Sequence, residues 1–332
     1  MSDPKQPFVS VVTPFYNTAP YLEECIKSVL AQTYQNWEYV LANNKSTDGS
    51  LEIAQKYAAL DSRIRLSTNE TFLDQVPNYN NALRQVSPKA EYIKMVQADD
   101  WMFPECLDRM VAVAASDPEI AIVSTYSLRG VYIGCQGLRY PSIVTPGIEA
   151  LRLHLLEGIS VLGTPTNLLY RADLVRERHT FFDEVSLLDD LEVCYEILPG
   201  RKLGFVHQLL VYVREDNPSI SNKLLQYNPW PLHRIIMLRK HGKSLLTEEE
   251  FNSSFDALWR SYIKFLGYAK LRGRPKEFWD YQKKGFEAAG LTLGKGLLWV
   301  EAFGAAADII FNPKQSWDRL LARLSRKQNG NS

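Results

Sequence analysis

Two pairs of adjacent aspartates carry most of the chemistry this sequence could perform. Asp99-Asp100 follows Tyr92 to Val96, a run with the length and composition of a buried strand, so both carboxylates stand where that strand ends. In open α/β sheets ligands bind at that end of the strands, because the loops converge there and helix N-termini point at it. An acid pair at such an edge suits a hard divalent cation, and taken alone it is also what a solvated loop or a helix cap carries. Asp189-Asp190 closes a polar stretch just before Leu191 and Glu192, and reads by itself as a pair of N-terminal helix caps. His154, His179, His207, His233 and His241 have neither metal-ligand spacing nor a nearby Ser or Cys nucleophile pattern, and read as structural. The first strand runs into neither a GxGxxG loop nor a P-loop, which disfavours dinucleotide oxidoreductases and P-loop enzymes.

The elements that must position these acids alternate. Residues 8–13 form a β-branched run stopped by Pro14, as a buried parallel strand stops at a functional loop. From Pro20 to Gln32, Leu22, Cys25, Ile26, Val29 and Leu30 recur at helical spacing. A second strand, Trp37 to Ala42, enters the polar turn from Asn43 to Gly49, so strand, helix and strand imply a right-handed parallel crossover. Ser46, Thr47 and Asp48 can cap the next helix, which carries Leu51, Ala54 and Tyr57. A short strand at Ile64 and Leu66 and a helical stretch over 78–85 lead to the strand before the first acid pair. A helix then runs from Pro104 to about Ser116, followed by two β runs in 120–135, a helix over 147–157, and strands at 167–170, 203–207 and 209–213. From about Tyr227 the pattern is helical throughout, over 227–241, 247–272, 275–289, 293–310 and 314–326. The chain therefore reads as an α/β domain over 1–225, with a mostly parallel central sheet and flanking helices, plus a helical appendage over 226–332.

The run VSVVTPFYNTAPYLEECIKSVLAQTYQNWEYVLANNKSTDGS resembles the opening of the family 2 glycosyltransferases, whose fold is called GT-A. EYIKMVQADDWMFPECL resembles the family's DxD region and FDEVSLLDDLEVCYEI its acceptor-side ED motif, so the likeness covers roughly 8–220 and leaves out the helical tail. It implies an inverting enzyme that moves a sugar from a nucleotide diphosphate donor, with uridine the expected base, to an acceptor hydroxyl. Asp99 matches the metal-binding acid of DxD, while Gln97 stands where the first acid is usual; a neutral amide coordinates a cation more weakly. Two carboxylates near a diphosphate repel it by about 1 kcal/mol per charge pair at 4 Å in water and about 4 at an effective dielectric of 20, so Mn2+ or Mg2+ is the implied cofactor. Asp216 stands in place of a metal-ligating His found in some relatives, and could serve as an oxygen ligand. Thr13, Pro14, Tyr16, Asn43 and Asn44 would line the nucleobase and ribose pocket, with Asn43 where the family usually has an Asp that accepts from uracil. Both asparagines are also simple turn formers. Asp190 matches the general base, Asp189 is the alternative, and Trp101 beside the first pair could stack on a sugar or serve packing. Against this stands a carbohydrate- or nucleotide-binding module without catalysis, motivated by Gln97, Asn43 and the missing His.

Composition narrows the partners. A chain of 332 residues with 45% hydrophobic and 23% charged residues is ordinary for a globular protein. The zero net charge conceals 20 Lys/Arg against 28 Asp/Glu in residues 1–225 and 18 against 10 in the rest. An acidic front half is a poor platform for nucleic acid, which is not an expected partner. The expected acceptor is a carbohydrate or a lipid-linked acceptor, as in surface or exported polysaccharide synthesis. Trp299, Phe303, Arg319, Arg323, Arg326 and Lys327 suggest peripheral membrane contact, while packing on the first domain or on a second subunit is the plainer reading. Four dispersed cysteines and a start without a signal-like stretch fit reduced thiols and a cytoplasmic location, with the membrane's inner face as an extension of it.

Overall fold

The computed structural model describes residues 6–215 and 227–292, together with the isolated positions 294, 296, 299 and 303. The chain divides into two compact units, Met1–Lys223 and Leu224–Ser332. In the first, the strands β1 (Val9–Phe15), β2 (Trp37–Asn43), β3 (Ile64–Thr68) and β4 (Tyr92–Met95) form a parallel block in the order β3-β2-β1-β4. β1 is central and buried along its whole length, which is why its sequence is β-branched rather than alternating. The sheet continues through β9 (Leu169–Arg171), β6 (Ile120–Arg129), β10 (Lys202–Tyr212) and β5 (Trp101–Met102). β9 runs antiparallel to both neighbours, so β6 and β10 point the same way as the first block. Two short strands complete it: β7 (Tyr132–Gly134) hairpins onto β6, and β8 (Val144–Pro146) pairs with the start of β10.

Helices α1 (Ala19–Leu30), α2 (Ser50–Leu60) and α3 (Gln75–Leu83) alternate with the first strands, and α4 (Cys106–Ala115), α5 (Gly147–Glu157), α6 (Ala172–Arg176) and α7 (Asp189–Ile197) follow. α1 buries Leu22, Cys25, Ile26 and Val29, the face expected from their spacing; full burial of an aliphatic side chain of this size is worth about 1.5–3 kcal/mol. The four cysteines are buried free thiols.

Sequence periodicity is corrected at two places. The strand expected over 167–170 is β9, Leu169–Arg171, with Asn167 in the 3-10 turn Pro165–Asn167 before it. The two strands expected over 203–207 and 209–213 are one strand, β10, whose pairing with β6 shifts register between Val206 and Leu209. A bulge there leaves the polar His207 and Gln208 out of step, so the apolar pattern breaks while the strand does not.

In the second unit the described residues form helices α8 (Pro229–Leu245), α9 (Glu248–Leu271) and α10 (Lys276–Ala288). Thr247 and Glu250 close a reciprocal capping box at the start of α9. Tyr262, Phe278 and Phe286 form the aromatic centre between α9 and α10. The expected helix over 314–326, most of that over 293–310, and Arg319, Arg323, Arg326 and Lys327 lie outside the described residues. Trp299 and Phe303 are exposed. Among the described residues no helix is long and apolar enough to cross a membrane.

Candidate active site

One edge of the sheet is built as a walled shelf. Leu169 of β9 pairs with both Lys94 of β4 and Val123 of β6, which fixes these two residues at one level. β4 ends at Met95 while β6 continues to Arg129, so β6 stands roughly 16 Å higher at about 3.3 Å per residue. β10 rises beside it to Tyr212, where β5 pairs with its tip. The chain from β4 to β5 is the acid loop Gln97–Asp100, at the foot of this wall.

That loop is held from beneath. β9 is antiparallel, so the turn Pro165–Asn167 just before it opens on the same edge. The Thr166 hydroxyl donates to Asp100 Oδ2 at 2.6 Å and accepts the Gln97 backbone N–H at 3.1 Å. Asp100 Oδ1 accepts the Arg214 backbone N–H at 2.9 Å, and Arg214 Nε donates to the Asp99 carbonyl at 3.0 Å. Lys94, fully buried, donates its ammonium to the carbonyls of Thr166 and Leu168. Burial lowers its pKa to about 8. Asp100 is thus a buried anchor, and burial followed by repulsion from Asp99 pushes its carboxyl up. Asp99 is half-buried. Gln97 turns its amide away from Thr166 and donates to the Tyr79 hydroxyl at 3.1 Å.

Asp189 and Asp190 are the first two residues of α7, whose N-terminus opens on the same edge. The Leu191 N–H donates to Asp190 Oδ1 at 2.8 Å, so Asp190 does the work of a helix-end acceptor as well. Burial raises both carboxyls, and Asp189 is raised further by Asp190. Helix α3 ties the two acid-bearing segments together. Gln97 of the acid loop bonds the Tyr79 hydroxyl, the Tyr79 ring packs against Phe182, and Asn80 holds the backbone of Phe181 and Phe182 on the way to Asp189. The positive charge of Arg129, high on the wall, favours the ionised forms of Asp100 and Asp190.

The remaining expected residues divide by direction. Thr13 faces the core, where its hydroxyl accepts from Tyr39 at 2.9 Å, and Pro14 is buried beside it. Asn43 accepts the Ser46 N–H at 3.0 Å and donates to Thr68 at 3.2 Å; Asn44 is bonded to both backbone groups of Leu73 and to Asn69. Both asparagines therefore shape turns with the same groups that would read a base. Tyr16 is exposed, edge-on to the exposed Phe72 with centroids 4.8 Å apart. Trp101 stacks on Tyr212 at 5.2 Å and touches Phe103 at 4.7 Å, which occupies its ring in packing. Asp216 lies outside the described residues. Sequence reading missed Tyr79, Lys94, Arg129 and Thr166. A lone lysine inside the apolar run Tyr-Ile-Lys-Met-Val was a usable signal for Lys94; nothing local marks the other three.

Comparison with known proteins decides the family. The model of glycosyl transferase family 2 matches residues 10–178. The chain belongs to glycosyl transferase family 2. Its relative EpsE of Bacillus subtilis (strain 168) is 30% identical over 227 residues, spanning 67% of this chain and 78% of EpsE. The fold is also that of S. aureus TarS 1–349, solved in complex with UDP-GlcNAc, at a TM-score of 0.59 and 17% identity over 85% of this chain and 79% of that one. The mannosyltransferase PcManGT from Pyrobaculum calidifontis, solved with GDP-Man and Mn2+, superposes at 0.52 with 18% identity over 96% and 84% of the two chains. These two likenesses establish the GT-A architecture of this family 2 member. The family match ends before Asp189 and Asp190, so the roles of that pair rest on geometry.

Proposed function

We propose that this family 2 glycosyltransferase transfers a sugar, with inversion, from a nucleotide diphosphate sugar to an acceptor hydroxyl. The observation that supports the reading is that Tyr79 of α3 links the acid loop, whose Gln97 bonds its hydroxyl at 3.1 Å, to Phe182 at the head of the segment that leads to Asp189. The diphosphate would lie over Asp99, the acceptor against α7, and the transferred sugar between them. Asp190 is the general base, with Asp189 as the alternative: an acceptor hydroxyl is a poor nucleophile until a carboxylate takes its proton, an effect worth about 10²–10⁴-fold in rate. Attack on the face opposite the leaving diphosphate inverts the anomeric centre in one displacement.

Mn2+ or Mg2+ fits the donor set in a restricted way. Among the described residues no group of three or more His, Cys, Asp or Glu could hold an ion, and both Asp100 oxygens already accept hydrogen bonds. Asp99 is the residue that would hold such an ion, through a hard carboxylate oxygen. When bound, such an ion neutralises charge that builds on the departing diphosphate. Tyr16 and Phe72 offer the exposed aromatic faces for the nucleobase. UDP is the first base to test, and the solved structures of similar fold hold UDP-GlcNAc in one case and GDP-Man in the other. The acceptor is a carbohydrate or lipid-linked carbohydrate of a surface or exported polysaccharide, met at the inner face of the membrane.

The test is a panel of UDP-, GDP- and dTDP-sugars with a glycan acceptor mixture and Mn2+, read as released nucleoside diphosphate and as the anomeric configuration of the product. Turnover of one donor with inversion is expected. Binding without turnover across the panel would favour a non-catalytic module, and a retained configuration would remove the single displacement.

A further inference from the structure

Tyr79 is buried in α3, between the acid loop, whose Gln97 bonds its hydroxyl, and Phe182 of the segment that leads to Asp189. Gln75, one turn earlier on the same helix, donates its side-chain amide to that oxygen at 2.6 Å, and Gln97 donates from the acid loop at 3.1 Å. A phenol carries one proton and accepts through its lone pairs, so two incoming amides use up its acceptor capacity and leave the proton to be given away. Among the described residues no acceptor takes that proton. Burial pushes the Tyr79 hydroxyl far above its ordinary pKa, so it stays protonated at any working pH. Its ring is fixed edge-on against Phe182 at 6.1 Å, at the start of the loop that leads to Asp189.

We propose that the Tyr79 hydroxyl donates to a hydroxyl oxygen of the sugar being transferred, and that Gln75 and Gln97 aim it there. The inference rests on the donor reading above. Between an acid that faces the diphosphate and an acid that faces the acceptor lies the transferred sugar and nothing else of the donor. A neutral, rigid O–H suits a sugar hydroxyl, and a site built to hydrogen-bond such a group discriminates against analogues that lack it. Gln97 therefore has work of its own at the position where the family usually has an acid: a carboxylate there would accept the Tyr79 proton, whereas the amide holds the phenol oxygen and frees it.

Binding by titration calorimetry separates this from a structural role. Full-length wild type, Tyr79→Phe and Gln75→Leu are titrated, with Mn2+, with UDP-glucose, UDP-galactose, UDP-GlcNAc and GDP-mannose, with free UDP and GDP, and with monodeoxy forms of the sugar nucleotide that binds. Tyr79→Phe is expected to weaken the sugar nucleotide about 5–20-fold, the scale of one hydrogen bond, and to leave the free nucleotide within about twofold. One monodeoxy donor should bind both proteins equally. Gln75, exposed on its helix, tolerates substitution, and Gln75→Leu should show a smaller loss of the same kind, which carries the test should Tyr79→Phe fold poorly. Equal losses for nucleotide and sugar nucleotide, or no loss at all, overturn the proposal while leaving the donor reading intact. Failure of wild type to bind any sugar nucleotide overturns both.

Discussion

Replacing Thr166 with valine removes one oxygen from beneath the acid loop and keeps the side chain's shape. That oxygen donates to Asp100 at 2.6 Å and accepts the Gln97 N–H at 3.1 Å, in a side chain with no exposure. A hydrogen bond to a charged group contributes about 1.5–3 kcal/mol, and an orphaned buried amide costs about 1–3 kcal/mol, so the loop should lose about 3–5 kcal/mol of local stability. At about 1.4 kcal/mol per tenfold, amides of the loop should exchange with deuterium at least about 10²-fold faster than in wild type. The effect has a pH signature. Burial and then Asp99 hold the folded pKa of Asp100 above its unfolded value, so its contribution to stability is present at low pH and lost as pH rises through the folded value. Thr166 favours the charged form; without it the folded pKa climbs further and the penalty is fully felt only once Asp100 must ionise. Exchange mass spectrometry should therefore show a larger difference from wild type at pH 8 than at pH 5, where the cost of the orphaned Gln97 amide remains. No acceleration at pH 8, or a greater one at pH 5, refutes the anchoring of the loop through Asp100.

Activity should carry a raised acid limb. Burial lifts both Asp189 and Asp190, so kcat/KM should fall on acidification at a pH above the ordinary carboxylate value of about 4, and Arg129→Gln should move that limb higher because Arg129 favours ionised Asp190; a limb near pH 4, or one that ignores Arg129, speaks against this base. At the start of α5, Gly147→Ala would put a methyl 2.2 Å from the Leu198 carbonyl oxygen, backbone that cannot turn aside. Such overpacking costs about 1–3 kcal/mol, and calorimetry should show a lowered melting temperature with nucleotide affinity unchanged in the folded fraction.

The alternating core was legible because its cause is local: continuous β-branched runs for strands buried on both faces, and 3.6-residue spacing for helices such as α1 and α5. Two- and three-residue strands such as β5 and β8 are too short to show a period, and the bulge in β10 mimicked a strand end. In the site, sequence indicated which residues lie at the sheet edge better than what each does there. Asp99 and Asp100 are neighbours of identical chemistry, yet a threonine and an arginine amide from far along the chain make Asp100 a buried anchor, while Asp99 is only half-buried. Asn43 and Asn44 look equally available in the sequence, and only the folded turns show their amides already bonded. The pairing of Tyr79 with Gln97 depends on how α3 packs over the sheet, which no spacing encodes.

The most direct measurement compares binding and turnover in Asp190→Asn, with the donor that the panel selects and Mn2+ present. Sugar-nucleotide affinity should stay within about threefold of wild type while kcat for transfer falls by about 10²–10⁴-fold. Transfer at the wild-type rate in a folded Asp190→Asn protein would contradict a base at the head of α7, and with it the shelf between the two acid pairs as the place where the sugar changes hands.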